Sequence, residues 1–261
     1  MKAINAHIGE VEMKAITPSV IESMLDSMRD GETLSGKPAS ERSLHGLCVL
    51  IKSIMADAFR RGVIPHNPLE EMRLPTYRER PRRALNETQC DALAKKLDIS
   101  DGYQLAVLLC LTCGLRCGEA VGLDWEDYDG FSITISKALD HDGNVQLPKT
   151  DASYRSIPVP QDVRARLDAI RGYGRMCRDS YGRDIKPYWL SHWWCNHKED
   201  FGVSVGLHEL RHSYLTRLAN AGVHPRIMQT LAGHATLSIT MQVYTHVSDE
   251  MQRQAIDSAF A

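Results

Sequence analysis

Six side chains between residues 116 and 244 could do chemistry together. The string His208-Glu209-Leu210-Arg211-His212 invites two different chemistries. It formally matches H-E-x-x-H, in which two histidines on one helical face hold zinc and the glutamate activates water. The match is five residues long and a zincin needs a third ligand. Leu215 stands where a metzincin needs glycine, no His or Glu lies three residues beyond it, and no Glu follows before Glu250. The second chemistry uses His208 and Arg211, which are three apart and share a helical face. A His and an Arg aimed together suit an anion such as phosphate. Further candidates stand at element edges. Arg116 lies in Cys113-Gly114-Leu115-Arg116-Cys117-Gly118-Glu119, just past a buried helix that should end near Gly114. Lys149 follows Leu147-Pro148, His234 follows Ala232-Gly233, and Tyr244 lies in Val243-Tyr244-Thr245-His246. Each has a plainer reading: Arg116 paired with Glu119, His234 capping a helix, Tyr244 packed in a core.

The elements that must position these groups fall into two parts. Thr17-Pro18 starts a helix with a capping hydroxyl and a proline at the first helical position. Val20, Ile21, Met24, Leu25 and Met28 follow at helical spacing. A second helix, from about Ser40 to Arg61, carries Leu44, Leu47, Leu50, Ile51, Ile54 and Ala58 as its apolar stripe. Gly62, Pro65 and Asn67-Pro68 end it. Residues 1–72 thus form a small helical unit. From Arg73 to Arg83 the chain changes character: Arg73, Arg78, Arg80, Arg82 and Arg83 face Glu79 alone, and Pro75 and Pro81 keep the segment extended. This is a phosphate-tracking linker or a merely solvated one.

Asn86 and Gln89 have capping-box spacing and open a second domain, 85–261. Leu85 to Leu97 and Tyr103 to Cys113 read as helices, the latter fully buried. Ser132 to Ser136 alternates like a strand. His141-Asp142-Gly143-Asn144 reads as a hairpin turn, and strand-like Val145–Leu147 and Ser156–Val159 are joined through Lys149-Thr150-Asp151. Helices are expected at Asp162–Ile170, Leu207–Ala221, Pro225–Leu231, Leu237–Tyr244 and Ser248–Phe260. The last is amphipathic and suits docking on its own chain or on a neighbour.

Composition excludes several classes. With 43% hydrophobic and 25% charged residues, the 261-residue chain is no disordered polymer. No apolar run approaches the roughly 18 residues of a membrane span. Met1 to Glu10 lacks the apolar stretch of a signal peptide. Seven scattered cysteines suggest a reducing cytoplasm rather than a disulfide framework. Cys110, Cys113 and Cys117 are spaced to share one helical face and are expected to be buried structural residues. Cys195 and His197 show no partner pair. A net charge of -2 excludes indiscriminate coating of nucleic acid and leaves only local basic patches. One is the 73–83 linker. Another is Arg164 to Lys186, where seven basic residues face three acidic ones.

Six strings in order resemble the tyrosine recombinases, the phage-integrase and Xer-like enzymes. They are Gly114-Leu115-Arg116-x-Gly118-Glu119, Leu123-Asp124-Trp125, Pro148-Lys149-Thr150 with Arg155-Ser156-Ile157-Pro158, His208-Glu209-Leu210-Arg211-His212, Leu231-Ala232-Gly233-His234, and Tyr244-Thr245-His246. The resemblance covers about Leu85 to Ala261. More weakly, Ile16 to Pro75 is similar to the core-binding domain of integrases from phages and conjugative transposons. Departures are modest: Cys113 stands where Thr is frequent, Ala232 departs from a Leu-Gly pair before His, and Glu209 replaces the commoner Asp. Many such integrases also begin with a small arm-binding domain; this chain has no room for one, so a fragment or a naturally short enzyme is expected.

The resemblance implies a mainly α fold with a small antiparallel β-sheet. A helical core-DNA-binding domain (1–72), a basic linker (73–84) and an α+β catalytic domain (85–261) would form a C-shaped DNA clamp. It implies a metal-independent, cofactor-free site-specific recombinase acting in the bacterial cytoplasm on double-stranded DNA, as a homotetramer linked by C-terminal helix exchange. Tyr244 would be the nucleophile, Arg116 and Arg211 the phosphate clamp, Lys149 the proton donor to the leaving oxygen, His208 the base and His234 a hydrogen-bond donor. Glu119 would support them, and Arg73, Arg78, Arg80, Arg82 and Arg83 would hold DNA. His212 and His246 are expected to be structural. A catalytically silent DNA-binding regulator and a type IB-like topoisomerase are the alternatives.

Overall fold

The computed structural model describes residues 2–77, 84–147, 154–233 and Met241. The chain divides into two units, Met1–Pro81 and Arg82–Ala261. The first is helical: α1 (Lys2–Ile8), α2 (Pro18–Arg29) and α3 (Glu41–Arg60). Thr17 Oγ1 accepts the Val20 amide and Ser40 Oγ accepts the Ser43 amide, so both long helices start where a side-chain oxygen replaces a missing carbonyl. Arg29, at the end of α2, donates to both carboxylate oxygens of Glu41 (2.8 and 3.2 Å), at the start of α3.

The apolar stripe of α3 differs from the expected one. Leu44, Cys48, Ile51, Met55 and Ala58 are buried, while Leu50 is exposed and Ile54 only half-buried. Steps of four, three, four and three keep the observed residues in one straight seam, which packs into a cluster with Ile21, Met24, Leu25 and Met28 of α2 and Ile64 and Leu69. Leu50 and Ile54 lie off that seam, and their hydrophobicity alone did not reveal it. Beyond α3, Lys52 Nζ donates to the carbonyls of Glu70 and Met72, and His45 Nδ1 lies 2.7 Å from the Pro75 carbonyl. The start of the basic segment is therefore laid along α3, with Arg73 exposed.

The second unit builds on α5 (Gly102–Thr112), whose Leu105 to Leu111 are all buried. Around it pack α4 (Glu87–Lys96), α6 (Cys117–Gly122), α8 (Pro187–His197) and α9 (Leu207–Asn220). α7 (Gln161–Ala169) and α10 (Pro225–Ala232) complete its described helices. Asn86 and Gln89 form the expected capping box at α4. The Leu85 amide donates to Ser213 Oγ, which donates to the Glu209 carbonyl, so the start of this unit is fastened to α9.

The strands pair differently from expectation. β1 (Ser132–Ile135) runs antiparallel to β4 (Arg155–Pro158), and β2 (Ala138–Leu139) to β3 (Val145–Gln146). Asp140 closes the second pair by accepting the Asp142 and Asn144 amides. Among the described residues, the strands on either side of Lys149 thus pair with different partners. Lys149 itself lies outside the described residues.

Two further expectations are corrected. Cys110, Cys113 and Cys117 do not share a helix: α5 ends at Thr112, Gly114 turns the chain with φ +64°, and Cys117 opens α6. The 164–186 arginines are not a free basic surface. Arg166 donates to the Ala94 and Leu97 carbonyls, Arg171 to that of Tyr128, and Arg175 to that of Gly122. Arg178 and Arg183 pair with Asp184 and Asp179. Carbonyls at helix ends and in loops lack ladder partners and need donors, and long guanidinium side chains supply them. Among the described residues no helix is long and apolar enough to cross a membrane.

Met55→Ala should destabilise the first unit by about 2–4 kcal/mol, the cost of a core cavity. Leu50→Ala should stay within about 0.5 kcal/mol, as for an exposed site. Urea unfolding, followed by hydrogen exchange of the α3 amides, checks the pair.

Candidate active site

Local backbone chemistry puts Arg116 at the head of α6. Gly114 takes the left-handed conformation that a β-carbon disfavours. A β-carbon there would also collide with the Tyr214 ring, so the turn closes directly against α9. Arg116 is the residue before the first turn of α6, and Glu119, three on, reaches back to accept the Arg116 amide with Oε2 at 2.8 Å.

That carboxylate is buried and shared by three guanidinium groups. Arg116 Nη1 donates to Oε1 at 2.7 Å. Arg155, the first residue of β4, donates with Nη1 to Oε1 at 3.1 Å and with Nη2 to Oε2 at 2.8 Å. Arg211 Nη1, from α9, lies 4.0 Å from Oε2. Three cations around one anion leave two positive charges in excess.

The same three arginines grip the end of α10. Arg155 Nε donates to the Leu231 carbonyl (2.8 Å), Arg211 to that of Ala232, and Arg116 Nη2 to that of Gly233 (3.1 Å). Arg211 also donates to the Gly114 carbonyl. The last carbonyls of a helix lack intrahelical partners and carry its negative pole, so cations are favoured there. Gly233, at φ +61°, ends the helix in the left-handed conformation.

The electrostatics follow from burial and proximity. Burial works against ionisation of Glu119, but the Arg155 hydrogen bonds and the charges of Arg155 and Arg116 outweigh it and hold the carboxyl at about 2. Burial, and then the nearby Arg116 charge, bring Arg211 down to about 10, still protonated at neutral pH. Burial pushes the Tyr214 phenol up, so this neighbouring tyrosine stays protonated. Arg155 and Arg211 are buried, whereas the Arg116 side chain is 43% exposed and faces solvent from the cluster.

The structure therefore brings Arg116, Glu119 and Arg211 together. His208 stands one turn before Arg211, at the exposed start of α9. Glu209, which completes the formal zinc signature, accepts the Gly206 amide at 2.7 Å and caps α9. Arg73 belongs to the other unit. Arg78, Arg80, Arg82, Arg83, Lys149, His234 and Tyr244 lie outside the described residues, as do the expected helix at 248–260 and all of the one at 237–244 but Met241. Arg155 stands in a family string of the sequence but was given no role there. Its signal was the alternation of β4, in which Arg155 shares the buried face with Ile157, a placement that demands an internal acid.

Glu119→Gln should cost about 3–5 kcal/mol at neutral pH, because it strands buried guanidinium charge. Glu119 titrates near 2 when folded against a reference of 4.5. Its contribution is thus present above 4.5 and lost as pH falls towards 2. The stability gap between wild type and variant should close over that window in denaturant melts.

The model of the phage integrase family matches residues 83–251, a span that contains the whole cluster. A tyrosine recombinase XerC-like protein of Caldanaerobacter subterraneus subsp. tengcongensis is 26% identical, over 97% of this chain and 74% of its own length. Among solved structures, the Tn1549 transposon integrase in complex with a circular intermediate DNA superposes with a TM-score of 0.77 at 18% identity, covering 94% of this chain and 86% of that one. A lambda integrase tetramer bound to a Holliday junction gives 0.68 at 19%, covering 95% and 71%. At these identities the structural likeness is one of fold. The family match, over most of the chain and around the arginine cluster, is the decisive one: this chain belongs to the phage integrase family and is a tyrosine recombinase, an enzyme of site-specific recombination.

Proposed function

We propose that this recombinase cleaves and rejoins double-stranded DNA through a covalent 3′-phosphotyrosyl intermediate, in the integration or excision of a mobile element. The observation that carries the reading is the excess of two positive charges around Glu119, with Arg116 turned to solvent. A pentavalent phosphorane gathers negative charge on its non-bridging oxygens. Preorganised guanidinium donors stabilise it more than they stabilise the resting diester. Glu119 fixes the Arg116 donors in advance.

In the reaction, the Tyr244 oxygen attacks phosphorus and the 5′ oxygen departs. His208 takes the tyrosine proton as general base, the role its motif string implies. Lys149 gives a proton to the leaving oxygen, and His234 donates a hydrogen bond to the phosphate. Attack by a 5′ hydroxyl on the phosphotyrosine reverses the step and joins a strand, the two-step logic of covalent catalysis. Tyr244, Lys149 and His234 take these roles from their motif strings.

Residues 1–72 act as the core-DNA-binding domain and 73–84 as a basic linker, with Arg73, Arg78, Arg80, Arg82 and Arg83 on phosphates. The solved relatives complexed with DNA support the DNA partner. The lambda integrase tetramer bound to a Holliday junction supports four copies on DNA. Their linkage by exchange of the C-terminal helix takes its support from the amphipathic pattern of Ser248–Phe260 alone. The place of action is the bacterial nucleoid.

A suicide DNA substrate nicked near the cleavage site tests the chemistry. Wild type should trap a covalent adduct. Tyr244→Phe should trap none while still binding DNA, and an adduct persisting in that variant overturns the assignment. Arg116→Ala should slow adduct formation by about 100-fold or more. Supercoil relaxation without recombinant product would indicate a topoisomerase instead. Deleting Gln254 to Ala261 should abolish synapsis and spare simple binding; unchanged synapsis rejects helix exchange.

A further inference from the structure

We infer that Arg155 is a positioning residue for strand transfer, acting through Glu119 and the Leu231 carbonyl. The inference rests on the reading that Arg116 and Arg211 hold the scissile phosphate. Each of the three donor nitrogens of Arg155 has a partner: Nη1 and Nη2 on the two Glu119 oxygens, Nε on Leu231. Burial beneath the cluster, at 1% side-chain exposure, keeps it from substrate.

Its placement sets two properties of the cluster above it, from which Arg116 faces solvent. The first is charge. Glu119 is attracted to every guanidinium around it, and Arg155 holds both its oxygens from the buried side. Only Oε1, at 2.7 Å, then touches the Arg116 guanidinium. Without Arg155 the carboxylate would turn fully to Arg116 and Arg211, and the positive excess would fall from two charges to one. The second is geometry. Leu231, Ala232 and Gly233 are consecutive, and each carbonyl is held by a different arginine. Arg155 fixes the first, so the turn presenting the other two to Arg211 and Arg116 keeps its height. A fork is needed for this: an ammonium supplies the same charge but cannot hold two carboxylate oxygens and a carbonyl along fixed directions.

The test is single-turnover cleavage of the nicked suicide DNA at saturating enzyme, with rate constant and final adduct amplitude read separately. DNA affinity is measured alongside. Arg155→Lys should lower the rate constant about 10- to 100-fold, the scale of a small misplacement of reacting groups. Its amplitude and DNA affinity should stay within about threefold of wild type. Arg155→Gln should be slower still, because the charge is also gone. A residue that only supports folding would lower amplitude in step with the melted fraction and leave the rate constant of surviving molecules unchanged. That result, or a rate constant for Arg155→Lys within about twofold of wild type, overturns the inference. A wild-type chain that traps no adduct rejects the underlying reading of the arginines instead.

Discussion

A single buried carboxylate organises the second unit. Glu119 sits where water cannot solvate it, which costs several kcal/mol for any ion. It stays ionised because guanidinium groups from three separate elements converge on it. A buried ion cluster is weak evidence for stability, since apolar packing of similar volume often does as well. Its value here is directional. The carboxylate is outnumbered, so it aligns the cations without cancelling them, and the site meets a phosphate with its donors already in place.

Every neighbouring feature serves that convergence. α5, buried and apolar from Leu105 to Leu111, anchors the turn that carries Arg116. Gly114 lets that turn lie flat on the Tyr214 ring. The alternation of β4 turns Arg155 inward beside Ile157. Arginines elsewhere in this unit do a different job: Arg166 and Arg175 donate to carbonyls at the ends of α4 and α6, and Arg171 to a loop carbonyl, and they hold the fold together. A near-neutral net charge is thus compatible with a strongly cationic site, because charge is sorted by what each arginine touches.

Local signals in the sequence were legible and distant ones were not. Thr17, Ser40 and Asn86 start their helices as read, since a capping oxygen acts within three residues of itself. Arg116, Glu119 and Arg211 were all picked out and do share one site. The α3 seam was blurred, because Leu50 and Ile54 are as apolar as Cys48 and Met55 and only the packing partner distinguishes them. Strand pairing was misassigned because turn chemistry at 140–144 marks a hairpin without saying which strand closes it, and the partner of β4 precedes that turn. The role of Arg155 escaped because a buried arginine makes sense only with its acid, which is 36 residues away.

The grip on α10 makes the length of that helix a fixed quantity. Three successive carbonyls meet donors from a strand, a turn and a helix that are far apart in sequence. Inserting or deleting one residue between Pro225 and Leu231 would rotate the helix end by about 100° and move it about 1.5 Å, so all three matches would fail together. The hairpin turn at 140–144, whose bonds are its own, carries no such restriction. Length variation in this scaffold should therefore collect at the hairpin, while α10 behaves as a ruler cut to one measure.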